Sequence, residues 1–439
     1  MSETISMIGL VGGLLLLIIL TIRGVNVMIA GPLAALLVAV LGGLALFPQI
    51  AEPGQADYVA SYMKGFSGFI FSWFPIFILG AIFGKVMEDS GAADSISHWI
   101  VGKMGLKHAV FAIVAACAVL TYGGVSLFVV AFSVYPMALS LFKQANLPRR
   151  FIPAALAFGS VTFTMTSAGS PEIQNVIPIK YLGTTLYSGW QVSIVVAIFM
   201  ASFGYWWLRR MIAKAVLAGE CYDERANDPV IEMNGNLPHP VISLLPLVLV
   251  LGVSFAFHDS LKQSALLIAL TCGVLSTIGL NWGKFKNLEA ALSSGTAGAL
   301  IAIGNTAAVV GFGTVAKASP AFGVVVEAMT SLPGHELIGA AVAVSVIAGL
   351  TGSASGGQSI ALPILAPHYL ELGVDPDALH RVVAISSGAL DSLPHNGYVV
   401  TTIRAICGEK HKDAYGPLAA LTVIVPLLGV VMAIGLFLI

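Results

Sequence analysis

Three ionisable side chains, those of Glu172, Asp391 and His395, lie inside long apolar stretches of the sequence. Carboxyl and imidazole groups bind and release protons, and imidazole does so near neutral pH. A charge at the centre of a bilayer costs about 2.5–3.5 kcal/mol on insertion scales, so residues of this kind usually have a function. We therefore predict that these three residues carry transported protons. The alternatives are a helix cap at Glu172, a paired Asp391 and a structural hydrogen bond from His395.

Two short clusters of small and hydroxyl-bearing residues, 121–126 and 351–358, could bring polypeptide backbone close to a ligand. Glycine allows close approach, and serine and threonine hydroxyls both donate and accept hydrogen bonds. Close helix packing is the simpler explanation of small residues, but two clusters at equivalent places in the chain favour a binding site. The residues that we predict to contact substrate are Thr121, Gly123, Gly124, Ser126, Ser170, Asn175, Ser355, Gly356, Gly357, Gln358, His395 and Asn396.

Two predicted helices are each interrupted by a polar stretch that contains proline: 149–187 at 166–175, and 377–405 at 391–397. Proline removes a backbone donor and breaks the helical ladder. Backbone groups freed at membrane depth must line a cavity or pack against protein. The N-termini of half-helices favour anions, and their C-termini favour cations. The geometry suits an anionic substrate, a co-transported cation, or both.

The composition is that of a membrane protein. Of 439 residues, 57% are hydrophobic and only 10% are charged, whereas soluble domains carry about 25% charged residues. The mean hydropathy of +0.92 and the 47 glycines fit an all-α polytopic membrane protein. A net charge of −1 gives no reason to expect a nucleic-acid partner. The four cysteines are scattered, and the sequence carries no metal-binding, nucleotide-binding or hydrolase motif. We therefore expect no cofactor and no enzymatic activity.

A hydrophilic stretch, 209–239, divides the chain into halves that carry similar motifs in the same order. Phe83-Gly84 ends a span in the first half as Phe312-Gly313 does in the second. Each half is predicted to contain three spans, an amphipathic segment, a re-entrant hairpin, a broken helix and a last span. That unit crosses the membrane an odd number of times, so the second copy must be inverted. We predict two inverted repeats with about 10 transmembrane spans.

Lysine and arginine positions predict the orientation. With the central loop in the cytoplasm, all but five of the 21 basic residues lie inside, as the positive-inside rule requires. Both termini are then periplasmic in a multi-pass protein of the inner (cytoplasmic) membrane. The five outside are Lys64, Lys180, Lys262, Lys317 and Arg381. We expect Arg381 to contact lipid headgroups at the outer surface.

Three strings of residues resemble the gluconate:proton symporter (gluconate permease) family of the ion transporter superfamily. They are LGAIFGKVMEDSG at 79–91, SGGQSIALP at 355–363 and DSLPHNG at 391–397. The resemblance spans nearly the whole chain and is greatest to the branch described as hydroxybutyrate or general carboxylate permeases. It implies a homodimer and elevator-type alternating access, with substrate held between the hairpin tips and the broken helices.

The resemblance also implies a division into scaffold and transport parts. The scaffold spans of the two repeats are 1–106 and 241–335. The transport parts, each with a hairpin, a broken helix and a last span, are 107–215 and 336–439. Residues 216–240 form a cytoplasmic linker.

Together these features predict a secondary active symporter of small organic monocarboxylates or hydroxy acids, such as gluconate or 3-hydroxybutyrate, coupled to protons. The paired discontinuities indicate a carrier, whereas the carboxylate and the proton are implied by the resemblance. A sodium-coupled carboxylate carrier and a cation/proton antiporter on the same fold remain alternatives, because tips lined by hydroxyls and carbonyls also suit sodium. The expected partners are a small organic anion, a co-transported proton or sodium ion, the lipid bilayer and a second copy of the chain.

Overall fold

The regular structure of this protein is helical. A computed structural model describes residues 3–105, 108–225, 237–330, 334–394 and 396–439. Within those ranges the only β-structure is an isolated bridge between Ala45 and Asp57. The predicted all-α class is therefore confirmed.

The first half contains nine α-helices within the described ranges. In chain order they are α1 (Glu3–Ile22), α2 (Val27–Gly42), α3 (Tyr58–Asp89), α4 (Ala92–Met104), α5 (Ala109–Tyr122), α6 (Leu127–Gln144), α7 (Ile152–Ala157), α8 (Ile173–Leu182) and α9 (Trp190–Leu217). A π-helical turn, Phe158–Thr162, continues α7.

The second half repeats this order of elements and ends on a longer broken segment. Its helices are α10 (Pro240–Leu261), α11 (Gln263–Leu280), α12 (Leu288–Ala318), α13 (Pro320–Thr330), α14 (Glu336–Thr351), α15 (Ala354–Glu371), α16 (Pro376–Ser387), α17 (Gly397–Val400), α18 (His411–Ala419) and α19 (Val425–Phe437). Two π-helical segments follow α17 and α18, at Thr401–Ile406 and Ala420–Ile424.

Seven helical stretches are long and apolar enough to cross a bilayer in the described part of the chain. They are Glu3–Thr21, Tyr58–Asp89, Leu127–Gln144, Trp190–Leu217, Pro240–Leu261, Leu288–Ala318 and His411–Phe437. Helix α2 has 16 residues and is shorter than the roughly 20 residues that a perpendicular crossing needs. Helix length therefore supports a multi-pass protein, with seven membrane-length helices among the described residues.

Polar side chains cap the helices at points where the chain must turn. Asn26, Asp57 and Asn287 each accept a hydrogen bond from a backbone N–H in the first turn of α2, α3 and α12. At the C-terminus of α14, Gly352 caps the helix in a left-handed conformation with φ 61°, which glycine adopts without strain. These caps fix where the apolar helices begin and end.

The longest helix pair is α3 against α12, which occupy equivalent places in the two halves. Other helices make reciprocal contacts between the halves. In the first pair of contacts, α1 packs on α13 as α10 packs on α4; in the second, α2 packs on α12 as α11 packs on α3. Small residues permit these close approaches, since a Cβ at Gly31 would lie 2.9 Å from the Ala308 carbonyl oxygen. Each half thus packs its first spans against the other half.

The hairpins and broken helices lie where they are predicted, but several boundaries differ. Helix α8 begins at Ile173 and α15 begins at Ala354, so Gln174 and Asn175, and 355–358, are helical rather than parts of loops. A serine cap explains the second difference, because Ser353 Oγ accepts a hydrogen bond from the Gly356 N–H and starts α15 early. The second break begins at Gly388, three residues before the predicted position.

Candidate functional site

A cavity of about 320 Å³ lies where both hairpin tips and both helix breaks meet. Its walls come from the tips at 124–128 and 351–355, the breaks at 171–174, 391–392 and 396–398, and the facing helices α3 and α12. The polar and charged residues of its lining are Thr21, Ser126, Glu172, Gln174, Asn305, Thr306, Thr351, Ser353, Ser355, Asp391, Ser392, Asn396 and Tyr398. A cavity of this kind, apolar with a few convergent polar groups, is typical of small-molecule sites.

Six of the residues singled out from the sequence line this cavity: Gly124, Ser126, Glu172, Ser355, Asp391 and Asn396. Seven others do not: Thr121, Gly123, Ser170, Asn175, Gly356, Gly357 and Gln358. The last of the predicted residues, His395, lies outside the described part of the chain. The two halves of the chain therefore contribute to one cavity.

The residues outside the lining hold the elements around the cavity together. Gly357 packs against the backbone of Ala348, where a Cβ would come within 2.5 Å of the Cα, and so brings the arms of the second hairpin together. Gln358 is fully buried, and its Nε2 donates a hydrogen bond of 3.0 Å to the Gln174 carbonyl oxygen. This hydrogen bond joins the second hairpin to the first broken helix. The predicted substrate contacts at Gly357 and Gln358 are thus placed behind the cavity wall.

The first break is held open by hydrogen bonds to its backbone carbonyl groups. Asn175 Nδ2 donates to the carbonyl oxygens of Met165, Ser167 and Ser170 at 3.2, 2.7 and 3.2 Å. These are carbonyl groups that an uninterrupted helix would have bonded internally. Asn175 therefore joins the two sides of the break by hydrogen bonds and does not line the cavity.

Arg381 is the main correction to the sequence analysis. Its side chain is fully buried rather than in contact with headgroups. The guanidinium donates to Thr166 O and Asn175 Oδ1, both at 2.7 Å, and to Leu186 O and Ser188 O at 3.1 and 2.8 Å. A planar guanidinium can satisfy several acceptors at once, and here it clamps the first break from the second half of the chain.

The second break is tied to the second hairpin tip. Asn396 Nδ2 donates a hydrogen bond of 3.0 Å to Gly352 O, while its Oδ1 accepts from the Val399 N–H and caps α17. Asp391 Oδ1 accepts a hydrogen bond from the neighbouring Ser392 hydroxyl at 3.0 Å. Asp391 is buried, with its side chain at the cavity wall.

The electrostatic character of the cavity follows from its charged groups. Glu172 and Asp391 line it, and the described part of its lining contains no lysine or arginine. The N-terminus of α15 also meets the cavity through Ser353, Ala354 and Ser355, and a helix N-terminus carries partial positive charge. An anion beside two ionised carboxylates would be repelled, so anion binding requires that these groups be neutralised by a proton or a metal cation.

Several lining residues were missed by the sequence analysis. Asn305 and Thr306 belong to the long helix α12, which presents them to the cavity. An Asn-Thr pair inside an apolar 31-residue helix is a signal that could have been used. Tyr398, Gln174 and Ser392 also line the cavity, and each lies within two residues of a residue that the sequence predicted.

A separate cluster of charges ties together the ends of the two broken helices. Buried Arg149 and Glu409 form an ion pair with 2.8 Å between Nε and Oε1. The other oxygen of Glu409 accepts from Arg225 of the central linker at 3.1 Å. Nearby, hydrogen bonds from Arg150 hold the pKa of the half-buried Glu220 carboxyl below its usual range. Within the described ranges no three His, Cys, Asp or Glu side chains lie together as a metal site would need.

Membrane-length helices around an internal polar cavity define a multi-pass membrane transporter. The chain matches the model of the GntP family permeases over residues 5–279, and it belongs to that family. A model of the Na+/H+ antiporter family also matches, over residues 170–394. Family membership confirms the expectation of a transporter rather than an enzyme.

Relatives of the chain are transporters too. It is 36% identical to the uncharacterized transporter YxjC of Bacillus subtilis (strain 168), over 93% of this chain and 94% of that protein. It is 24% identical to a high-affinity gluconate transporter of Escherichia coli (strain K12), over 45% of this chain and 41% of that protein. The solved structure of MtrF from Neisseria gonorrhoeae shares the fold, with a TM-score of 0.52 at 12% identity and 93% coverage of both chains.

Proposed function

We propose that the protein is a secondary active symporter that moves small organic monocarboxylates or hydroxy acids, such as gluconate or 3-hydroxybutyrate, together with protons. The observation that carries this proposal is the charge of the cavity, where Glu172 and Asp391 meet without a basic side chain in the described lining. An organic anion and these two carboxylates exclude one another unless protons bind first. Such mutual dependence is what couples a substrate to a co-transported ion.

The polar groups of the cavity suit a hydroxy acid. Hydroxyl groups at Ser126, Ser353 and Ser355 and the amides of Asn305 and Asn396 surround the space. They can bond a carboxylate and a substrate hydroxyl, with the N-terminus of α15 adding positive potential. A volume of about 320 Å³ accommodates a small acid. The related Escherichia coli protein is a gluconate transporter, which supports the same substrate class.

We further propose that the transport parts, 107–215 and 336–439, move as one body against a scaffold of 1–106 and 241–335, in an elevator-type cycle. Hydrogen bonds connect the hairpins and broken helices of the transport parts to one another. In contrast, buried contacts with the scaffold are apolar, as between Gly84 and Val129 and between Gly313 and Ile360. The hydrogen bonds from Lys180 Nζ to Ser72 Oγ and from Lys262 Nζ to Gly183 O, which cross to the scaffold, lie at the exposed surface. An interface that is apolar where it is buried can slide at low cost.

The same proposal includes two inverted repeats, a homodimer with scaffold helices at its interface, and an inner-membrane location with periplasmic termini and a cytoplasmic linker, 216–240. The exchanged helix contacts between the halves support the repeat. The orientation is supported by the charge cluster of Arg149, Arg150, Arg225 and Glu409, which gathers basic residues at one end of the molecule.

The test uses purified protein in liposomes. We expect labelled 3-hydroxybutyrate, lactate or gluconate to accumulate under an inward proton gradient, with one acid competing best, and not to accumulate without a gradient. A sodium gradient alone should give no accumulation. Uptake that requires a sodium gradient would mean that the protein is still a carrier of these acids but that sodium, not the proton, is its coupling ion.

A second candidate function is cation/proton antiport, because residues 170–394 match the antiporter family. That stretch contains Glu172 and Asp391, either of which could exchange a proton for a metal cation. An antiporter would move protons in response to sodium and transport none of the three acids. The liposome experiment separates the two candidates directly.

A further inference from the structure

Most polar side chains around the cavity are already bonded to the protein itself. The hydroxyls of its three lining threonines each donate to a backbone carbonyl one turn earlier in the same helix; they belong to Thr21, Thr306 and Thr351. Asn396 uses both ends of its amide, and the Ser392 hydroxyl donates to Asp391. A ligand has to compete with the protein for these groups.

The side chain of Gln174 differs from these groups. It lies in the first turn of α8, lines the cavity and is only 7% exposed. Its Oε1 has no hydrogen-bond partner within the part of the chain that the structure describes. A carboxamide offers one acceptor and two donor hydrogens, and buried polar groups in folded proteins are nearly always bonded. Gln174 is therefore a buried polar group that is free to bond a ligand.

The backbone of Gln174 is held from both halves of the chain. Its carbonyl oxygen accepts from Gln358 Nε2 of the second hairpin at 3.0 Å, and the same nitrogen donates to Ser387 Oγ of α16 at 3.2 Å. The next residue, Asn175, bonds three carbonyl groups of the first break. A fixed backbone that carries an unbonded carboxamide presents that group at a defined place, which is what a preorganised binding site requires.

We propose that the Gln174 carboxamide binds the hydroxyl group of a hydroxy acid, and that the protein thereby selects hydroxy acids over acids that lack the hydroxyl. This inference rests on the organic-acid transport proposed above. A carboxylate only accepts hydrogen bonds, so it can pair with the amide nitrogen and leaves Oε1 unbonded. A hydroxyl both donates and accepts, so it bonds either end of the amide, and a half-turn of the carboxamide exchanges those ends.

A second carboxamide of the cavity, that of Asn305, gives the internal comparison. Its Oδ1 also lacks a partner among the described residues, and it lines the cavity from α12. Asn305 is only half-buried, whereas Gln174 is nine-tenths buried. Gln174 also belongs to the transport part of the proposed cycle and stays with the substrate throughout, whereas Asn305 belongs to the scaffold. Selectivity for the hydroxyl is therefore assigned to Gln174.

The test measures the binding of acids that differ only in the hydroxyl group: 3-hydroxybutyrate against butyrate, and lactate against propionate. Dissociation constants are measured by titration calorimetry on the purified full-length protein in detergent at one mildly acidic pH. Binding is measured rather than uptake, because butyric and propionic acids cross lipid in their neutral form and would dissipate a proton gradient.

Three variants are compared with the wild type. Gln174→Met replaces the carboxamide with an unbranched apolar side chain of similar length, and Gln174→Asn draws the carboxamide back by one methylene. The bond from Gln358 goes to the Gln174 backbone and is kept in both, so both are expected to fold normally. Asn305→Leu is the matched control, because it removes the other unbonded carboxamide of the cavity.

We expect the wild type to bind a hydroxy acid at least about tenfold more tightly than the same acid without its hydroxyl. In Gln174→Met and Gln174→Asn this ratio should fall to near one, because the hydroxy acid binds more weakly while the unsubstituted acid binds as before. Asn305→Leu should keep the wild-type ratio. A wild-type ratio near one, or a wild-type ratio that persists in the Gln174 variants, would overturn the inference.

Failure of the proposed function has a different signature. The wild type would then bind none of these acids, with or without a hydroxyl, and gluconate would not bind either. That result overturns the proposed substrate class and the role of Gln174 together. Binding of both acids of a pair with equal affinity overturns the role of Gln174 alone.

Discussion

Asp391 and Glu172 occupy different halves of the chain and the same cavity. Each lies at a break, where the helix cannot shield it with its own backbone bonds. In the proposed cycle these two carboxyl side chains must be neutral when the substrate anion binds. An amide at position 391 mimics the neutral form permanently, which separates anion binding from proton release.

We therefore expect Asp391→Asn to abolish acid accumulation under a proton gradient and to leave exchange of labelled for unlabelled acid largely intact. Both are measured in the same liposomes. Asp377→Asn, at the exposed start of α16, is the matched control and should behave as wild type. Full proton-driven accumulation by Asp391→Asn would show that Asp391 does not carry the proton.

The charge of Arg381 has a different role from those of Glu172 and Asp391, because its guanidinium donates hydrogen bonds to backbone carbonyl groups and does not line the cavity. Its fully buried guanidinium satisfies three carbonyl groups and Asn175 Oδ1 across the first break. A lysine has one ammonium group and cannot reproduce the planar fork. Breaking a buried charged network typically costs about 3–5 kcal/mol.

The Arg381→Lys protein should accordingly unfold at a clearly lower temperature in detergent than the wild type. The exposed Arg404→Lys is the control and should unfold with the wild-type midpoint. An unchanged midpoint for Arg381→Lys would mean that the clamp does not stabilise the break.

At the scale of elements, hydropathy predicted the order of spans, hairpins and broken helices, because apolar length and proline are both local properties. It missed the early start of α15, which depends on the Ser353 cap, and the burial of Arg381, which depends on a contact between distant parts of the chain. The structure also separates residues that look alike in the sequence: Gly124 lines the cavity, and Gly357 packs one hairpin arm on the other. Only packing distinguishes these two uses of glycine.

The second hairpin gives an element-scale prediction. A Cβ at Gly357 would lie 2.5 Å from Ala348 Cα and 2.7 Å from its nitrogen, so Gly357→Ala must push the arms apart. Overpacking of this kind typically costs about 1–3 kcal/mol. We expect a lower unfolding midpoint than for the control Gly298→Ala, which meets no atom within 4 Å. Equal midpoints for the two variants would contradict the close packing of α14 on α15.

For the whole molecule, the proposed motion of the transport parts against the scaffold can be blocked by a crosslink. A Cβ at Gly84 of α3 would lie 3.5 Å from Val129 Cβ of α6, which suits a disulfide. In a chain with the exposed Cys221 replaced by serine, oxidation of Gly84→Cys/Val129→Cys should stop transport, and reduction should restore it.

The control crosslink joins two scaffold elements. A Cβ at Gly42 would lie 3.3 Å from Ser319 Cβ, so Gly42→Cys/Ser319→Cys ties α2 to the end of α12. Oxidation of this pair should leave transport unchanged. Full transport by the oxidised Gly84→Cys/Val129→Cys protein, with the disulfide verified by mass spectrometry, would rule out relative motion at this contact.

The central claim, that the acid and the proton move together, is tested most directly by external pH in a weakly buffered liposome suspension. With no gradient imposed, addition of a transported acid anion to wild-type liposomes should make the outer medium more alkaline as protons enter with it. Asp391→Asn liposomes should show no such change. An acid that enters without any pH change, or proton movement that follows sodium and ignores the acid, would contradict the account.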